Sequence, residues 1–165
     1  MLAGEPAVVD GGLATELENR GQDLTGTLWS ARLLAEDPDA IRQVHRAYFE
    51  AGANVGISAS YQASRRGFAA HGITAAEADR LMTLSVRLVA QARRQAAADG
   101  AVQPMFVAAS VGPFGATRHD GSEYVGRYGV PHDELVTFHV DRLRVLLAAQ
   151  PDLLAVETLP DAAEA

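Results

Sequence analysis

The sequence contains no cysteine. That excludes disulfide bonds, a cysteine nucleophile and any thiolate metal site built by this chain alone. Clustered lysine and arginine are also missing, and the formal net charge is −7. Nucleic acid and anionic membranes are therefore not expected partners, because both are recognised through concentrated positive charge. No apolar run is long enough to span a bilayer, and no basic segment precedes a signal-length apolar run, so a cytoplasmic protein is expected. There is no Gly-x-Gly-x-x-Gly fingerprint, no phosphate loop of the Gly-x-x-x-x-Gly-Lys type and no Gly-x-Ser-x-Gly elbow. The five histidines (His45, His71, His119, His132 and His139) are scattered. His132 and His139 share a predicted helix, but no acid partner makes a metal motif of them.

What is present is an alternation of short apolar runs with amphipathic segments. The 165 residues are 48% apolar and 21% charged, which suits one globular domain able to bury a substantial core. Residues 6–10 read as strand one, tipped by Asp10 and followed by the glycine turn Gly11-Gly12. Ala14 to Arg20 reads as a short helix ended by Gly21. Residues 22–36 are mixed, with Trp29, Leu33 and Leu34 as anchors. Asp37-Pro38 starts a helix to about Ala51, through an N-cap and a first-turn proline. Its expected inward face is Ile41, Val44, Tyr48 and Ala51.

Residues 54–60 read as strand two, with Ser60 and Tyr61 at the tip and a loop over 62–72. Thr74 and Glu77 form a capping box. The helix it opens runs to about Ala98, and Ala78, Leu81, Met82, Ser85, Leu88, Val89 and Ala92 line one stripe. Residues 105–111 are strand three. The irregular stretch 114–131 is long enough to suggest a functional loop. A helix over 132–149 is expected to turn Val136, Val140, Leu143 and Leu147 inward. Residues 153–158 are strand four, with Glu157 at the tip, and Pro160 onward reads as the start of a further helix.

Strands alternating with helices imply parallel pairing and right-handed crossovers, hence the α/β class. Two architectures fit: a four-stranded open sheet, or the first half of an eight-stranded barrel, since a complete barrel needs roughly 250 residues. In either, ligands lie at the carboxyl ends of the strands. Asp10 and Glu157 together are suited to grip a cation such as a substrate ammonium, and the N–H groups of Gly11, Gly12 and Leu13 to hold a carboxylate. That pairing would recognise an amino acid. Each acid also reads as a loop cap or an arginine partner. Trp29 reads as core. Tyr61, Tyr124 and Tyr128 fall in predicted loops, where aromatics either bind something or pack the loop.

Five motifs in order carry a resemblance. They are Asp10-Gly11-Gly12-Leu13-Ala14-Thr15-Glu16-Leu17, Ala59-Ser60-Tyr61-Gln62-Ala63-Ser64, Ser110-Val111-Gly112-Pro113-Phe114-Gly115, Asp120-Gly121-Ser122-Glu123-Tyr124 and Leu154-Ala155-Val156-Glu157-Thr158-Leu159-Pro160. Along essentially its whole length the chain resembles the homocysteine S-methyltransferase family, most closely the S-methylmethionine- or S-adenosylmethionine-dependent enzymes. The resemblance implies a TIM-type (β/α)8 barrel, of which residues 1–165 would be the N-terminal half, strands one to four, truncated after strand four. It implies zinc-dependent methyl transfer from a sulfonium donor to the homocysteine thiol, giving methionine. It also implies that Asp10 and Glu157 bind the homocysteine amino group and that Gly11-Gly12-Leu13 lies against the amino-acid moiety. Ser60, Tyr61, Thr158 and the loop around Tyr124 would lie near the substrates.

The family's zinc is held by three cysteines, one after the sixth strand and a Cys-Cys pair near the eighth, all beyond Ala165. The isolated chain is therefore expected to bind no metal and to be inactive. Its partners would be homocysteine, a sulfonium methyl donor and either a missing C-terminal half or another copy in a homo-oligomer. A non-catalytic half-barrel that oligomerises or binds a partner chain is the alternative. A lyase with Asp10 and Glu157 as an acid/base pair is a third reading.

Overall fold

The computed structural model describes residue 4 and residues 6–25 and 29–165, with residues 29–31 described through their backbone only. The expected anchor Trp29 thus has its side chain outside the described residues. Strand one is reduced to a single parallel bridge between Val9 and Val55. Asp10 N–H donates to Val55 O at 2.9 Å, and Asn54 N–H to Val8 O at 2.7 Å. The segment has only one neighbour, so it gains half the ladder of an interior strand.

Helix α1 (Leu13–Asn19) follows the glycine turn and ends at Arg20, before Gly21 with φ 86°. Helix α2 (Trp29–Glu36) buries Leu33 and Leu34. Asp37 caps α3 (Pro38–Glu50) by accepting from Ala40 N–H at 3.1 Å. The inward face of α3 is Ile41, Val44, His45 and Phe49. Tyr48 is only partly buried and Ala51 is exposed, so the face is rotated slightly from the expected one.

Strand β1 (Val55–Ile57) leads into a stretch expected to be loop. A short helix, α4 (Arg65–Ala69), stands there, capped by Ser64, which accepts from Gly67 N–H at 3.0 Å. Helix α5 (Ala75–Ala98) is the longest element, and every residue of its expected stripe is buried. Thr74 Oγ accepts from Glu77 N–H at 3.3 Å, while the Glu77 carboxylate pairs with Arg80 at 2.6 Å. Strand β2 (Phe106–Val111) is buried on both faces beyond Phe106, as a central parallel strand must be. Two 3₁₀ turns, Phe114–Thr117 and Ser122–Tyr124, organise the following stretch.

Helix α6 (His132–Ala148) departs from expectation. It buries Leu135, Phe138, Arg142 and Leu146, whereas Val136, Val140 and Leu147 are exposed and Leu143 only packs at the edge of the core. Strand β3 (Leu153–Val156) completes a parallel sheet in the order β1-β2-β3. The tail after Pro160 forms a turn over residues 162–164 rather than a helix.

All strand pairs are parallel and in sequence order. Right-handed crossovers then place successive helices on the same side of the sheet, and α5 packs against both α3 and α6. Close approach is made possible by Gly56, where a Cβ would stand 2.7 Å from both Phe49 and Val89. The fold is thus α/β with parallel strands. Among the described residues no helix is long and apolar enough to cross a membrane.

Candidate functional site

The carboxyl ends of the strands enclose a cavity of about 350 Å³. Asp10, Gly11, Gly12 and Leu13 line it from one side, Tyr61 from the tip of β1, and Ser110 and Glu157 from the tips of β2 and β3. That volume is at the lower end of small-molecule sites. Two carboxylates therefore face one small cavity from opposite ends of the sheet.

Each carboxylate leans on a central strand. Asp10 Oδ2 accepts from Ile57 N–H of β1 at 2.9 Å, and the imidazole Nδ1 of His45 lies 3.5 Å from the same oxygen. The Asp10 side chain is 5% exposed and that of His45 is fully buried. Among the described residues no hydrogen bond engages Asp10 Oδ1. Glu157 Oε1 accepts from the Ser110 hydroxyl of β2, and Glu157 N–H donates to Val111 O at 3.2 Å. Thr158, the next residue, has φ 57°. A β-branched residue rarely enters that region, which marks a locally strained strand tip.

Ser58, Ser60 and Ser110 tie β1 to β2 below the cavity. Ser110 N–H donates to Ser58 Oγ at 3.2 Å, Ser60 Oγ donates to Ser110 O at 2.8 Å, and the Ser58 and Ser60 hydroxyls share a bond of 2.7 Å. Arg142 of α6 crosses beneath them. It donates from Nη1 to Gly112 O at 2.7 Å and from Nη2 to Ser60 O at 2.8 Å and Tyr61 O at 3.0 Å. Burial pulls its guanidinium down to about 10, so it is still charged at neutral pH. Gly112 is required here, because a Cβ would stand 2.6 Å from the Tyr61 ring. Burial pushes the Tyr61 phenol above its ordinary range, while a side-chain hydrogen bond with Thr158 opposes the shift. Tyr61 thus faces the cavity as a neutral phenol. On the opposite wall, Tyr48 Oη donates to Gly12 O at 3.3 Å and underlies the glycine turn.

Six of the eight residues expected from sequence line this cavity: Asp10, Gly11, Gly12, Leu13, Tyr61 and Glu157. Ser60 does not. It is fully buried, with its hydroxyl committed to Ser110 O, so the structure corrects it to a support of the wall. Thr158 is not among the lining residues either; it stands beside the cavity wall with φ 57° and opposes the upward shift of the Tyr61 phenol. Tyr124 is 72% exposed and is not among the lining residues. Tyr128 is buried against Phe114, with its hydroxyl donating to Glu164 at 2.7 Å. His139 also pairs with Glu164, at 2.9 Å. Sequence reasoning missed His45 and Arg142. The signal for His45 was its place four residues after Ile41, on the inward face of α3. Arg142 gave none, being a charge on an otherwise apolar stripe.

The family model described as homocysteine S-methyltransferase matches residues 7–165. Homocysteine S-methyltransferase 4 of Zea mays is 52% identical over 171 residues, covering 99% of this chain and 50% of its own length. Homocysteine S-methyltransferase YbgG of Bacillus subtilis (strain 168) is 48% identical over 162 residues, covering 96% of this chain and 51% of its own length. The crystal structure of the homocysteine methyltransferase MmuM from Escherichia coli in its metallated form matches with a TM-score of 0.94 at 45% identity. The match covers 99% of this chain and 57% of that one. The chain spans about half the length of the curated relatives it matches.

Proposed function

The chain belongs to the homocysteine S-methyltransferase family, and on that premise we propose that its cavity is the amino-acid grip of a methyltransferase active site. The reaction is transfer of a methyl group from the sulfonium sulfur of S-methylmethionine or S-adenosylmethionine to the thiol of homocysteine, giving methionine. Residues 1–165 are the N-terminal half of a (β/α)8 barrel, and the protein works in the cytoplasm.

The observation that carries this reading is the convergence of Asp10 and Glu157 on one cavity of about 350 Å³. Two carboxylates facing a small site favour an ammonium group between them, since each charge-assisted hydrogen bond is about twice as strong as a neutral one. The turn at Gly11-Gly12-Leu13 leaves room for the rest of the amino acid, because glycine lets a ligand approach the backbone closely. Ser110 and Ile57 hold the two acids in place.

The related MmuM structure is of a metallated form. The residues here do not fit a metal: among the described residues no group of three or more His, Cys, Asp or Glu side chains is placed to hold one. This part of the fold offers recognition of the amino acid. Zinc, held by cysteines beyond Ala165, is what the family resemblance adds. A second reading, a half-barrel that associates through its open edges, draws support from exposed Leu153, Leu154 and Val156 on β3.

The test is titration of the chain with homocysteine, followed by NMR. Asp10→Asn and Glu157→Gln should each weaken binding by about tenfold or more, as loss of a charged hydrogen bond does. Unchanged affinity in both variants would remove the assignment.

A further inference from the structure

Both ring nitrogens of His45 are buried and make no hydrogen bond. Buried polar atoms almost always find partners, so a histidine with two idle nitrogens needs an explanation. Its position is not accidental to the core. The cap at Asp37 and the burial of Ile41, Val44 and Phe49 fix the rotation of α3. That rotation aims Nδ1 at Asp10 Oδ2, 3.5 Å away. This separation is longer than a working N–H···O bond. Contacts of this kind in ligand-free sites often shorten when the ligand arrives.

The Asp10 carboxylate has an unequal pair of oxygens. Oδ2 is tied to Ile57 N–H and faces His45, whereas among the described residues no hydrogen bond engages Oδ1. Asp10 N–H is itself held by Val55 O. One torsion of the carboxylate is therefore left to be fixed, and His45 is the group beside it. We propose that His45 is a positioning residue for Asp10. In this assignment the neutral imidazole carries its proton on Nδ1 and closes on Oδ2 when an ammonium group engages Oδ1. Neutrality matters chemically. A neutral donor orients the carboxylate and leaves its negative charge for the ligand, while an imidazolium would compete with the ammonium. The inference rests on the amino-acid reading of the cavity above.

The experiment compares two ligands, homocysteine and the same thiol acid without its amino group, titrated into the chain by NMR. His45→Leu should weaken homocysteine by about tenfold and leave the amino-free acid within about twofold, because only the first uses the positioned carboxylate. His45→Asn, which keeps a short donor, should restore most of the loss. Equal weakening of both ligands would show a packing role only and overturn the inference.

Asp10→Asn separates the two levels of the argument. If that variant does not discriminate between the ligands, or if the wild-type chain binds neither, the amino-acid reading falls and the inference with it. If Asp10→Asn discriminates and His45→Leu does not, the inference alone falls. Should His45→Leu not fold, the ring nitrogens of the wild-type chain decide by nitrogen-15 NMR. Nδ1 protonated and shifted on adding homocysteine supports the assignment, and Nδ1 unprotonated in the complex overturns it.

Discussion

Replacing Arg142 by methionine separates two opposing terms in the support beneath the cavity. The arginine makes three hydrogen bonds to backbone carbonyls, at Gly112, Ser60 and Tyr61. Ser60 O keeps a second donor, Ala63 N–H at 3.0 Å, so the substitution strips the bonds shown here from two carbonyls, Gly112 O and Tyr61 O. Each orphaned acceptor costs about 1–3 kcal/mol. Against this stands the charge itself. A buried guanidinium carries a desolvation penalty of several kcal/mol, and Arg142 Nε is already without a partner. Methionine removes both costs and fills similar space.

The geometry favours the carbonyls. The variant should be less stable by about 2 kcal/mol, which for a chain of this size lowers Tm by about 4–8 °C. Urea unfolding followed by circular dichroism should show a lower midpoint with an unchanged slope. Arg142→Lys should lose at least as much, because it keeps a charge to desolvate and gives up the planar fork. A methionine variant as stable as the wild type would refute the reasoning and show that desolvation outweighs the three bonds.

Gly112→Ala places a Cβ within 2.6 Å of the Tyr61 ring and 2.7 Å of Tyr61 O. It should cost about 1–3 kcal/mol, as overpacking does, and displace Tyr61, read as a change in its NMR signals; an unperturbed Tyr61 would contradict the packing described. The apolar residues left open on β3 and α6, Leu153, Leu154, Val156, Val136 and Leu147, should make the 165-residue chain self-associate. Sedimentation equilibrium should give a mass that rises with concentration, and a constant monomer mass would count against this.

The elements that read well from sequence are those where local and tertiary signals agree. The stripe on α5 and the Asp37-Pro38 start of α3 are two, since periodicity and capping there point the same way as the core. Helix α6 failed because it carries two overlapping stripes one residue apart. The stripe of Val136, Val140, Leu143 and Leu147 is the more apolar, but the buried one contains Arg142. An arginine turns inward there because the strand tips present carbonyls that need donors, a tertiary demand that hydrophobicity does not encode. Helix α4 was hidden by its two arginines, although Ser64 supplies an N-cap that marks its start. At the site, the placement of Asp10 and Glu157 at one cavity was legible because cavities in parallel α/β folds open at the carboxyl ends of the strands. Ser60 misled because it lies in the turn after β1, where strand alternation no longer applies and its hydroxyl bonds Ser110 O instead of facing the cavity.

The serines matter to the geometry of the site through the strands they join. Asp10 and Glu157 sit on the two outer segments of the sheet, yet each is held by the strand next to it, Asp10 by Ile57 N–H of β1 and Glu157 by the Ser110 hydroxyl of β2. The separation of the carboxylates is therefore set by the register of β1 against β2 at their tips. That register is pinned by Ser58, Ser60 and Ser110, whose bonds cross between the two strands inside a region closed to water. Buried hydroxyls that are fully partnered rigidify what they join. Two-point recognition of an ammonium tolerates little error in spacing, since hydrogen bonds weaken steeply away from their preferred geometry. Ser60 thus bears on the spacing of the two acids without lining the cavity, by bonding across from the end of β1 to β2.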